Sequence, residues 1–134
     1  MHPTEVLSQE HRAIENMLGA LEEQIRAAPA GQPFPRRFFD EALDFFRNFA
    51  DGCHHAKEEN LLFPRMKERG VPENGGPIGV MLAEHEQGRG HNEIVKRGNR
   101  NHSFRLVVSR WSLVVRGGAF SPRVPNDYRL TTND

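Results

Sequence analysis

Apolar side chains return along this chain in alternating steps of four and three, which leaves little choice but helices packed on one another. The first stripe is Leu7, His11, Ile14, Leu18, Leu21 and Ile25, the spacing of one helix face. It predicts a helix from about Thr4 to Ala28, with Thr4 as N-cap and Pro29, Gly31 and Pro33 ending it. A second helix is predicted from about Pro35 to Lys67, with Phe39, Leu43, Phe46, Ala50, His54, Glu58 and Leu61 on its stripe. A third opens at Pro77, a good first-turn residue, and runs through Ile78, Met81, Leu82 and His85 toward Ile94. The links are short and rich in Gly and Pro, which favours antiparallel neighbours. The expected fold is an all-α antiparallel helical bundle.

Polar residues intrude on these stripes. With Leu43 as the inward direction and about 100° per residue, Phe46, Ala50, His54, Glu58 and Leu61 lie within about 60° of it. His55 and Glu59 fall about 120° and 160° away, as supporting or surface groups. On the third helix His85 shares the face of Ile78, Arg89 returns to it, and His91 points to solvent. Three helices thus aim His11, His54 and His85 inward, and the second adds Glu58 one turn from its histidine, on the same face.

A buried histidine is often no more than a hydrogen-bonded core residue, and His and Glu four apart are common on exposed helices. Three inward imidazoles with one inward carboxylate point further. An apolar interior penalises ionised groups unless they are paired or bind metal. A nitrogen and oxygen donor set without a cysteine favours iron or manganese over structural zinc. The metal candidates are therefore His11, His54, Glu58 and His85. Cys53 sits about 80° from the inward direction on the wheel and is not among them. His2, His91 and His102 are expected to be uninvolved, and Phe38, Phe39, Phe45, Phe46 and Phe49 read as core.

Eighteen acids balance eighteen bases over 134 residues, which argues against a nucleic-acid binder. No apolar run is long enough to span a bilayer, and the N-terminus does not read as a signal peptide. One cysteine precludes an intramolecular disulfide, so a reducing cytoplasm is the expected location. The neutral total hides a division. Residues 1–98 hold sixteen acids and twelve bases, whereas residues 99–134 hold two acids, six arginines, no lysine and no glutamate. The chain is expected to comprise a helical region, 1–98, and an atypical Arg-rich segment, 99–134.

The segments QEHRAIENML, FADGCHHAKEENLLFP and GGPIGVMLAEHEQGR, within residues 4–97, resemble the hemerythrin-like family of HHE cation-binding domains. The resemblance implies a four-helix bundle around a non-haem di-iron centre that binds or reacts with O2, NO or related oxidants. Bacterial relatives include proteins that repair iron–sulfur clusters. By position, His11 matches the family's first-helix ligand, His54 and Glu58 its second-helix pair with Glu58 bridging, and His85 its third-helix ligand.

The family's fourth helix carries a further His-x3-Glu or His-x4-Asp, and nothing like it follows residue 91. Residues 104–116 can be drawn as an amphipathic helix with Phe104, Val107, Val108, Trp111, Val114 and Val115 inward and Arg105, Ser109, Ser112 and Arg116 outward. Their Val and Trp content equally allows a strand. Beyond Gly117 the end reads as unstructured. One account of the break near residue 99 is a frameshift or a divergent gene end, which resequencing the locus would test. His11, His54 and Glu58 suffice for one iron, and the second position has only His85 and a shared Glu58. A homodimer could supply the missing helix. Two function classes follow. The first is a non-haem iron protein that binds, senses or detoxifies O2 or NO under oxidative or nitrosative stress. The other is a metal-free, degenerate helical interaction domain. No nucleophile–base pair or phosphate-binding loop argues for a classical enzyme, and no membrane or nucleic-acid partner is expected.

Overall fold

The computed structural model describes residues 2–97 and 100–117, with side chains described over 2–93 and 104–112. Helix α1 spans Pro3–Ala27. Helix α2 occupies residues 36–68 as a continuous run of differently wound pieces. Helix α3 is Pro77–Arg97 and α4 is Arg100–Gly117. There is no strand among the described residues. The helices pack most extensively as α1 on α2 and α4, and α3 on α2 and α4, which closes a four-helix bundle. The strand alternative for residues 104–116 is thereby overturned. No helix among the described residues is long and apolar enough to cross a membrane.

His2, not Thr4, caps α1. Its ring accepts from the Thr4 backbone N–H while Glu5 Oε2 accepts from the His2 backbone N–H. This reciprocal pair meets two otherwise unsatisfied donors and leaves Pro3 in the first turn, where its missing N–H costs nothing.

Helix α2 changes pitch where the site lies. Phe45–His55 and Glu58–Leu62 are π-wound, with the Ala56 N–H donating to the Asp51 carbonyl and the Phe63 N–H to that of Glu58, each five residues back. Bonding from i to i+5 turns the chain through a smaller angle per residue than an α-helix and recurs at functional sites. Gly52 fits the first segment, since a Cβ there would meet the Arg47 carbonyl oxygen at 3.2 Å. Pro64 accounts for the second: it has no N–H to donate and crowds the carbonyl four residues back.

The altered pitch corrects two wheel positions. His55, expected about 120° off the inward face on a uniform α-helix, is buried, and Leu61, expected inward, is 64 % exposed. The main core joins Ile14, Leu18 and Leu21 of α1 to Phe39, Ala42, Phe46 and Ala50 of α2 and Phe104, Val107, Val108 and Trp111 of α4. A smaller cluster of Phe63, Val71 and Ile78 closes the far end. Each large side chain so buried contributes about 1.5–3 kcal/mol relative to exposure. Four predicted inward residues of the fourth helix are therefore core. Ser112, predicted outward, is also buried, because it follows Trp111 on the crowded side where α4 meets its neighbours. The side chains of Val114, Val115 and Arg116, and the end beyond residue 117, lie outside the described residues.

Candidate metal centre

The four predicted donors are buried on three helices, with Glu58 against His54 and His85 and the His11 ring beside that of His54. His11 precedes Ile14 on α1, His54 follows Ala50 by one turn on α2, Glu58 lies one turn further, and His85 comes from α3. Their exposures are 7 %, 1 %, 4 % and 2 %. Glu58 stands between two imidazoles. Its Oε1 is 3.5 Å from His54 Nε2 and its Oε2 is 3.1 Å from His85 Nε2. The His11 ring lies 5.9 Å from that of His54, centroid to centroid, and His11 Nε2 is 3.6 Å from Glu15 Oε1.

Behind these rings stands a set of carboxylates, of which the helical wheel had marked only Glu59 as a supporting or surface group. His54 Nδ1 lies 3.2 Å from Glu10 Oε2, His55 Nδ1 3.3 Å from Asp51 Oδ1, and His85 Nδ1 2.7 Å from Glu59 Oε1. Each carboxylate also has a cation. Lys57 holds Glu10. Arg89 reaches Asp51 at 2.9 Å and Glu59 at 2.6 Å, and Glu86 at 2.5 Å. Burial pushes the carboxyls of Glu10 and Glu59 up, but hydrogen bonds from Lys57 and His54, and from Arg89 and His85, outweigh it and hold both below the usual carboxylate range. Burial, with the neighbouring His85, His54 and Arg89, pushes the His55 imidazole down to about 2, so that ring is neutral.

These protonation states test the donor set. Glu10 and Glu59, being ionised, can only accept, so Nδ1 of His54 and of His85 carries the hydrogen. In the neutral tautomer each Nε2 then presents a lone pair to a Glu58 oxygen, also an acceptor. Acceptor facing acceptor in a buried place calls for a positive charge between them, either further protons or a cation. Imidazole Nε2 with a carboxylate behind Nδ1 is the usual arrangement of a metal-binding histidine. Three imidazoles and a carboxylate are ordinary ligands for a divalent transition metal, so the chemistry of the set fits an ion. The described side chains are not gathered around one point as a ligand group of three or more. The 3.1 and 3.5 Å separations are those of side chains in contact, against metal bonds of about 2.0–2.2 Å.

The remaining wall is aromatic. His55 stacks on His85 with centroids 3.8 Å apart and planes 13° from parallel. Trp111 of α4 lies on the other face of the stack, against His55 at 5.6 Å and 7°, and Phe46 backs Trp111 at 5.3 Å and 21°. Phe63 lies near-parallel to His85 at 5.9 Å. Gly88 of α3 makes room for the indole, since a Cβ there would stand 2.6 Å from Trp111 Cζ2. His91 is half-buried rather than turned to solvent, and Cys53 is exposed. The signal for Glu10, Asp51 and Glu59 was present in the sequence as acids within a turn of the inward histidines.

Residues 2–112 match the family model described as the hemerythrin HHE cation binding domain. The match continues past residue 99 into α4. No curated protein and no solved structure matches the chain significantly.

Proposed function

The chain belongs to the hemerythrin HHE cation-binding family, and from that premise we propose that it is a non-haem iron protein that binds O2 or NO. The observation that carries this reading is the pair of imidazole Nε2 atoms turned on the two oxygens of Glu58. A mixed nitrogen and oxygen set favours iron among the available ions. Its role lies in the response to oxidative or nitrosative stress, in a cytoplasm that keeps Cys53 reduced, iron–sulfur cluster repair being one form of that role.

His11, His54, Glu58 and His85 would hold the ion from three helices. Iron held there would supply redox chemistry and a place for a diatomic ligand. The protein's share is positional. Glu10 and Glu59 keep hydrogen on Nδ1 of His54 and His85 and so keep each Nε2 lone pair directed at the centre. The clusters around Phe46 and Phe63 limit water on either side.

The test is anaerobic loading with ferrous iron, metal analysis of the desalted protein, and titration with NO followed by absorbance. Bound iron with an NO-dependent spectral change supports the proposal. A chain that retains no iron overturns it in favour of a metal-free helical interaction domain. Iron without a response to NO or O2 overturns the ligand assignment alone.

A further inference from the structure

The donors come from α1, α2 and α3, and the side of the centre toward α4 is closed by rings. From His85 outward the order is His55, then Trp111, each nearly parallel to the last. Both rings are at least nine-tenths buried. The inward residues described on α4 are Phe104, Val107, Val108, Trp111 and Ser112, none of them a carboxylate or an imidazole. Residues 100–117 hold no Asp, Glu or Cys, and one histidine, His102.

Charge points the same way. A pair of divalent ions needs several anionic ligands in a buried site. Glu10 is already held by Lys57, and Asp51 and Glu59 by Arg89. Among the described residues, Glu58 is the carboxylate that stands between His54 and His85, with Glu15 beside His11. That leaves few carboxylates to offset the charge of a second ion.

We infer that this centre takes a single ion, not the pair the family resemblance implies, and that Trp111, seated on His55 and against Gly88, fills the volume a second ion and its ligands would need. The inference rests on the metal-binding reading above and specifies its stoichiometry. Trp111 acts here as a positioning residue: it touches His55 and reaches the donors only through that ring.

The experiment uses the full chain loaded anaerobically with excess ferrous iron, desalted, and oxidised. Iron per chain is read by mass spectrometry and the ferric spin count by electron paramagnetic resonance. One iron per chain with an isolated high-spin signal accounting for all of it is the expected result. Two irons per chain, or a coupled pair whose signal cancels, overturns the single-ion inference and leaves the metal-binding proposal standing. No iron overturns that proposal and the inference with it. Trp111→Glu exchanges the indole for a carboxylate, and the folded variant is expected to take up more than one iron per chain. A folded variant that still takes one overturns the assignment of Trp111 as the block. If that variant does not fold, the wild-type spin count still decides the stoichiometry.

Discussion

The indole of Trp111 lies 7° from parallel with the imidazole of His55, their centroids 5.6 Å apart. One residue on α4 thereby fixes the plane of a histidine on α2, and through it the face of His85 on α3. The contact depends on Gly88, whose bare Cα lets the indole approach the α3 backbone.

Gly88→Ala should therefore be destabilising although alanine is the better helix former. The added Cβ would stand 2.6 Å from Trp111 Cζ2 and 3.0 Å from Cη2. Overpacking of this kind costs about 1–3 kcal/mol. Gly90 is the internal control, with nothing within 4 Å of its added Cβ, and Gly90→Ala should stabilise by about 0.4–1 kcal/mol. Urea unfolding of the two metal-free variants checks the sign of each. A neutral or stabilising Gly88→Ala would mean that the indole is not held against α3.

The apolar steps of four and three were enough to read α1, α2 and α3, because packing of one face decides those elements. The inward placement of His54, Glu58 and His85 was legible for the same reason. His55 was not, because the wheel takes one angle per residue throughout and α2 is π-wound through that stretch. Pro64 and Gly52 were visible in the sequence, but propensity alone does not tell a kink from a widened turn. The α4 stretch was ambiguous locally. Its Val and Trp content suits a strand, and only burial of Phe104, Val107, Val108 and Trp111 against α1, α2 and α3 selects the helix. Glu10 and Asp51 were missed as partners because their contacts cross between helices or follow the altered pitch.

Truncation at the core end of the same helix tests that tertiary selection. Phe104 is fully buried and its ring lies edge-on to Phe39 at 4.9 Å and Phe38 at 5.4 Å. Phe104→Ala should cost about 3–5 kcal/mol, far more than an exposed position of α4 such as Leu106→Ala. Equal effects in thermal unfolding would place Phe104 outside the core.

Ligand and supporting positions should separate cleanly. His54→Ala and Glu58→Ala should abolish iron retention. Glu59→Ala and His55→Ala should weaken it, and loss of a supporting carboxylate typically costs about 10–100-fold in metal affinity. Cys53→Ser should leave it unchanged, since that thiol is exposed. Competition against a metal chelator orders the variants, and equal losses at His54, His55, Glu58 and Glu59 would contradict the placement of these side chains.

The metal-free chain should lose stability in acid through His55. Burial holds its folded-state value at about 2, well below the ordinary imidazole value of 6.5. Below about pH 6.5 the unfolded chain takes up a proton that the folded chain refuses, so stability falls as pH drops from that point toward 2. Each pH unit contributes at most about 1.4 kcal/mol from one group. His55→Phe keeps a flat ring against Trp111 and removes the proton, so its stability should vary less between pH 6.5 and 4. An unchanged slope would show that His55 is not the group responsible.

Arg89 offers a test of the charge network apart from the ligands themselves. Its guanidinium spans Asp51 on one side and Glu59 on the other, at 2.9 and 2.6 Å, so one planar cation secures the carboxylates behind both His55 and His85. A lysine there is a point charge that cannot present two divergent forks. Arg89→Lys should therefore keep the net charge and lose one of the two contacts. Its side chain is about one-third exposed, so solvent screening reduces the stability loss to about 1 kcal/mol. Iron affinity should respond more strongly, by about tenfold, because Glu59 is then freer to leave His85 Nδ1. Arg89→Met, which also removes the charge, should exceed it on both counts. Chelator competition and urea unfolding on the same samples separate the two effects. A fall in stability with no change in iron affinity would confine Arg89 to holding the helices together.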